Sequence, residues 1–277
     1  MPAFAPPENQ PIVGHWGKPT STLDFCEENY AVNFYIAEFW NTITNISTII
    51  LPLVGAITSW RGGLERRYIA SYVLLTVVGI GSLLFHGSLL YQMQLLDELP
   101  MLFTAVQLLY CLLNMGGPHG KQSLFTTIYL SVLYLLTAII SIAYVVVGNP
   151  VFHQVAFGMI MLAISFEALY VLKAYVHWRY LSWTCVAFGS YIVAFLIWLL
   201  DNNYCSDLRN MRADLGHQHP ISVFSQLHGW WHLLTGNTSF LHILISSRVR
   251  MTYLGYNTKI KTICGIPYLQ VSKEHNL

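Results

Sequence analysis

The stretch Gln226-Leu227-His228-Gly229-Trp230-Trp231-His232 puts two imidazoles four residues apart inside a long apolar run, Ile221 to Ser246. On a helix, positions i and i+4 share a face, so this pair can hold one metal ion from one side. One other histidine lies deep in an apolar run with a polar residue on its own helix face: His86, with Ser82 four residues before it. Three imidazoles without a fourth protein ligand describe a catalytic zinc that keeps a position open for water. Asp97, just before Pro100, is suited to take a proton from that water, and the Ser82 hydroxyl to point into the same site. Each residue also has a plainer reading. His228 and His232 are then buried histidines bonded to neighbours. Ser82 is a small residue at a helix contact, beside Gly79 and Gly81, and Asp97 is a cap or a solvated neighbour of Glu98.

Hard oxygens form a second cluster. Asp24-Phe25-Cys26-Glu27-Glu28-Asn29 is followed by Glu38 and Asn41, and calcium takes about six to eight such oxygens. The spacing is not that of an EF-hand loop, so an acidic segment that caps helices explains most of it equally well. Glu38 is the exception, because a carboxylate within an apolar run needs a partner. With Asn41, Asn45 and Thr48 it recurs at helical spacing, a polar stripe that must face protein and not lipid.

These residues have to be positioned by a membrane scaffold. The chain has 277 residues, 55% hydrophobic and 10% charged, with a mean hydropathy of +0.49. Soluble domains carry about 25% charged residues, so lipid must solvate much of this surface. A net charge of +1 argues against nucleic-acid binding. Seven runs reach the roughly 20 residues a spanning helix needs: about 34–59, 68–90, 97–115, 123–147, 153–175, 181–201 and 221–246. Residues Met1 to Lys18 have no apolar core, so the first spanning run is expected to direct insertion. The sequence therefore predicts an all-α membrane protein, a seven-transmembrane-helix bundle with an intramembrane metal site. Its parts are a luminal segment (1–33), the helical domain (34–246) and a cytosolic tail (247–277). The glycosylation patterns at Asn45 and Asn237 fall at membrane depth and are discounted.

Orientation follows from the basic residues. With seven spans, Lys18, Arg209 and Arg212 share one side; Arg61, Arg66, Arg67, Lys121, Lys173, Arg179, Arg248, Arg250, Lys259, Lys261 and Lys273 share the other. Cytosolic loops carry the Lys/Arg excess, which places the N-terminus on the luminal or extracellular side. His86 then lies about one turn from the luminal end of the second span. His228 and His232 lie about two to three turns from that of the seventh, at ~1.5 Å per residue. Asp97 opens the third span on the same side. The three histidines thus reach similar depth, although none of them entered the orientation.

Five blocks carry a resemblance to a known family: Ser21 to Tyr30, Tyr35 to Thr42, Glu65 to Tyr72, Met93 to Met101 and His228 to Gly236. In these blocks, and across Trp16 to Leu254, the chain resembles the alkaline ceramidases, the phytoceramidase type in particular. The resemblance implies a seven-helix intramembrane amidase that hydrolyses ceramide drawn from the bilayer, resident in the endoplasmic reticulum or Golgi, with no obligate protein partner. It implies zinc on His86, His228 and His232, with Ser82 and Asp97 completing the site. It implies calcium on Asp24, the Phe25 carbonyl, Glu27, Asn29 and Glu38. Phe25 departs from the tryptophan expected there, and Ser206 to Ile221 and the tail after Tyr253 diverge most. The competing reading is a seven-helix receptor or transporter of the adiponectin-receptor type with a structural zinc. Finally, the orientation puts Cys26 and Cys205 on the luminal side. In an oxidising lumen they are expected to form a disulfide, with Cys111, Cys185 and Cys264 remaining reduced.

Overall fold

The computed structural model describes residues 13–118, 123–176, 180–216 and 218–272; Lys121, Arg179 and Lys273, used above for orientation, lie outside them. Among the described residues six helices are long and apolar enough to cross a membrane: α1 (Phe39–Arg61), α2 (Arg66–Ser88), α3 (Tyr91–Leu113), α4 (Leu124–Val147), α5 (Pro150–Val176) and α6 (Leu181–Asn203). They are followed by α7 (Cys205–Leu215), α8 (Pro220–Phe224) and α9 (Leu227–Tyr253). Two strands, β1 (Asn257–Ile263) and β2 (Ile266–Ser272), close the described chain. Local chemistry sets several of these ends. Ser123 caps α4 by accepting from the Thr126 amide at 3.1 Å, Gly148 ends it with φ 66°, and Pro150 opens α5 without needing to donate. The outer faces are apolar: Phe125 is 79% and Val146 80% exposed, surface suited to contact with lipid.

Three helix boundaries differ from those expected, and each difference moves a site residue. First, α3 begins at Tyr91 and not at Asp97, because Leu89 ends α2 in the left-handed conformation (φ 52°) and the connection is only two residues long. Asp97 thus sits nearly two turns inside α3, and Pro100 lies within the helix. Second, α9 begins at Leu227, since the apolar run from Ile221 breaks at Ser225-Gln226 after the short α8. His228 is therefore in the first turn of α9 and His232 in the second. Third, the expected tail is partly an antiparallel hairpin, so the fold is not purely helical. Cys264 (φ 49°) and Gly265 (φ 81°) make its two-residue turn, and Leu269 packs with Leu64, Leu244 and Met251 beneath the bundle.

The helices that carry the histidines are held close by glycine. A Cβ on Gly236 would meet the Thr48 side chain, and one on Gly81 would meet the backbone of Leu96 and Asp97. Pro100 cannot donate to the Leu96 carbonyl four residues earlier, and that carbonyl is the atom Gly81 packs against. At the far end of the bundle, fully buried Arg250 donates to Glu65 (2.8 Å) and to the Met115 carbonyl (2.6 Å), tying α9 to the ends of α2 and α3. Gly81→Ala has to push α2 away from backbone that cannot yield. It is expected to cost about 1–3 kcal/mol, read as a lower midpoint of thermal unfolding, while Gly158→Ala, which meets nothing, does not lower the midpoint.

Candidate active site

His86 at the end of α2 meets His228 and His232 at the start of α9. The three rings are buried, with centroids 5.1 Å (His86–His228), 4.6 Å (His86–His232) and 4.5 Å (His228–His232) apart. One nitrogen from each lies within 4.8 Å of the others, and among the described residues no other group of three His, Cys, Asp or Glu side chains is so placed.

The surroundings decide which nitrogens are available. His86 Nδ1 lies 2.5 Å from Glu38 Oε2, and His232 Nδ1 lies 3.1 Å from the Asn41 carbonyl. The Asn45 amide lies 3.1 Å from the same nitrogen, so Nδ1 of His232 is engaged by its neighbours and Nε2 is left free of them. The carboxylate has the same effect on His86. A hydrogen bond of this kind is how metal-binding histidines are oriented. Nδ1 of His228 is buried with no hydrogen-bond partner among the described residues, and a buried ring nitrogen without one is costly unless something binds it. Three imidazoles, two oriented by neighbours and the third with an unpartnered ring nitrogen, suit zinc. The polar stripe explains itself here: Asn41 and Asn45 border His232, and Glu38 holds His86.

Ser82 lies one turn before His86, where Gly81 brings α2 against α3, and its hydroxyl stands near the Asp97 carboxyl. Ser82, Asp97, His228 and His232 all line one cavity of about 850 Å³ whose other walls come mainly from apolar residues of α3, α5, α6 and α9. The volume falls within the roughly 300–1,000 Å³ of sites that enclose small organic ligands.

The acidic segment is pinned beside this site. The structure joins Cys26 to Cys205 across 179 residues of sequence, and Cys111, Cys185 and Cys264 are free. Two arginines of α7 that sequence reasoning left without a role do the rest. Arg212, fully buried, donates to Glu28 (2.9 Å) and to the Cys26 carbonyl (2.6 Å). Arg209 donates to the Phe25 carbonyl (2.8 Å) and lies 3.9 Å from Asp24. Their only sequence signal was charge: two cations in a loop on the same side as an acidic cluster. Asp201 at the end of α6, also missed, accepts from the Cys26 amide at 3.4 Å.

The five residues expected to bind calcium are therefore only partly assembled. Glu27 caps α1, accepting from the amides of Trp40 (2.7 Å) and Asn41 (2.8 Å). Burial raises its carboxyl to about 8, and the nearby Glu38 charge pushes the same way, so a cation here would relieve both. Asn29 Oδ1 and Glu38 Oε1 are buried without partners among the described residues. The Phe25 carbonyl and Asp24 instead face Arg209. The Phe25 side chain has a further job, since its ring stacks on His228 at 3.7 Å.

Comparison with known proteins identifies the family. The ceramidase family profile matches residues 17–270. The chain is 42% identical to alkaline ceramidase 3 of Mus musculus over 91% of its own length and 92% of the relative's. It is 35% identical to an alkaline ceramidase of Saccharomyces cerevisiae over 91% and 84%, and 27% identical to one of Arabidopsis thaliana over 95% and 97%. With a match of this extent spanning every helix that supplies the site, the chain belongs to the ceramidase family.

Proposed function

We propose that this chain hydrolyses the amide bond of ceramide inside the membrane, releasing a sphingoid base and a fatty acid. One observation carries the reading: three convergent imidazoles stand next to a Ser82–Asp97 pair on the wall of a large apolar cavity. His86, His228 and His232 would hold zinc, which when bound polarises a carbonyl and lowers the pKa of a water towards neutrality. Asp97 takes the proton of the attacking water and returns it to the departing nitrogen. Ser82 donates to the carbonyl oxygen as negative charge grows there. The apolar walls keep bulk water from the reacting amide and accept the two chains. Helices α5 and α6 scarcely touch each other, and a gap between apolar helices suits lateral entry from lipid.

In this reading α9 is the seventh span. Its 27 residues reach about 40 Å at ~1.5 Å each, enough to cross, and its polar side chains face inward. The N-terminus is luminal and the protein resides in the endoplasmic reticulum or Golgi. Purified protein given mixed ceramides is expected to release sphingoid base and fatty acid in equal amounts by mass spectrometry, and to stop when zinc is chelated. Failure to release either product from any ceramide would end the proposal.

Calcium, on Asp24, the Phe25 carbonyl, Glu27, Asn29 and Glu38, would tie the N-terminal segment to α1. The Arg209 guanidinium competes for two of those ligands. Arg209→Ala is expected to tighten calcium binding by about five- to tenfold, the size of one partly exposed charged contact, measured by titration calorimetry at low salt. Weaker binding in that variant would instead make Arg209 a support of the site.

A further inference from the structure

We propose that Glu98 and His153 form a second polar subsite in the cavity, one that binds a hydroxyl of the substrate's long-chain base. The inference rests on the ceramide reading above. Both side chains line the cavity that contains Ser82 and Asp97, Glu98 from α3 and His153 from α5. Neither has a part in the hydrolysis derived so far.

The hydrogen bonds fix what the pair presents. His153 Nε2 lies 2.8 Å from the Glu98 carbonyl oxygen. That oxygen only accepts, so Nε2 carries the ring proton and Nδ1 of the neutral ring is an acceptor. Glu98 Oε2 is occupied, receiving the Tyr144 hydroxyl at 2.5 Å and Gln94 Nε2 at 3.0 Å. Gln94 is held in turn by Thr22 of the N-terminal segment at 2.8 Å. The carboxylate is thus locked from one side, and Oε1 lies 3.8 Å from His153 Nδ1. That is too long for a direct hydrogen bond, and with Nε2 protonated there is no hydrogen to put between them.

Two acceptors that face one another at the cavity wall are best served by a shared donor. Glu98 is 5% and His153 3% exposed, so the donor has to come through the cavity. One O–H can serve both acceptors as a three-centre bond. Among the polar groups of a ceramide, the amide belongs at the reacting centre beside Ser82 and Asp97, which leaves the hydroxyls of the long-chain base. A fatty-acid carboxylate has no proton to offer and is repelled by Glu98. The pair therefore also orients the substrate, drawing the base and not the acyl chain towards α3 and α5. Tyr144 and Gln94 are positioning residues that act through Glu98.

The test crosses enzyme variants with substrate analogues. His153→Leu and Glu98→Gln are compared with the unaltered protein on a dihydroceramide and on its 1-deoxy and 3-deoxy forms, all with one acyl chain. On the parent substrate each variant is expected to lose about tenfold in kcat/KM, the worth of one buried hydrogen bond to a charged or strongly accepting partner. On one of the two deoxy forms the variants and the unaltered protein should agree within about twofold, since the missing hydroxyl leaves nothing to lose. Zinc content and thermal midpoint are measured beside each rate. An equal loss on all three substrates, or no loss on any, overturns the subsite. If the unaltered protein cleaves none of the three, the ceramide reading fails instead.

Discussion

His232→Ala is expected to remove bound metal and turnover together. Zinc should fall from near one per chain to background, and amide hydrolysis by more than about a thousandfold, as when a catalytic unit loses a member it cannot replace. Nδ1 of His232 is committed to the Asn41 carbonyl at 3.1 Å, so its other nitrogen is the one turned to the shared centre. With it gone only two imidazoles remain, fewer than the three protein ligands that hold a catalytic zinc. His242→Ala supplies the contrast. It removes a buried histidine from the same helix, α9, that does not belong to the triad, so it should retain zinc whatever it does to stability. Metal analysis by mass spectrometry reads both variants. Full zinc occupancy in His232→Ala would sink the triad as a metal site.

Much of this site was legible in the sequence because its residues break local expectations. Imidazoles, a carboxylate and an amide stripe in apolar runs have to face something polar. His86, Glu38, Asn41, Asn45, His228 and His232 do face one another. Boundaries were less legible, since no glycine or proline marks them. Ile221 to Phe224 continues the apolar run into α9, so the break at Ser225-Gln226 could not be seen. Pro100 resembled a first-turn proline, yet it sits inside α3, where Gly81 fills the space against the carbonyl it leaves unpaired. The depth match survived because both errors shift residues along the axis by only a turn or two. What the sequence could not supply was the pairing of distant charges. Arg209 and Arg212 looked like loop cations, and only the fold brings them onto Phe25, Cys26 and Glu28. The C-terminal hairpin was legible in principle: Cys264-Gly265 separates two β-rich stretches, but they follow the last helix and read as a tail.

Asp97→Asn separates an enzyme from a protein that merely contains zinc. The substitution keeps the size and planarity of the side chain and leaves Ser82 a partner, so α2 and α3 should stay in register and the three histidines should keep their metal. What it removes is a group able to accept a proton. If Asp97 takes the proton of the attacking water, kcat should fall by about 10²- to 10⁴-fold, the usual contribution of a positioned general base. KM should change little, because the substrate is held mainly by the apolar walls and by contacts away from α3's Asp97. A structural zinc in a receptor or transporter has no use for a base, and its holder would show no such split between metal content and turnover. The buried position of Asp97, its closeness to Ser82 and its place on the wall shared with His228 and His232 motivate the experiment. Measured kcat in Asp97→Asn equal to that of the unaltered protein, with zinc at one per chain, would take Asp97 out of the chemistry and leave the water to be deprotonated by some other group.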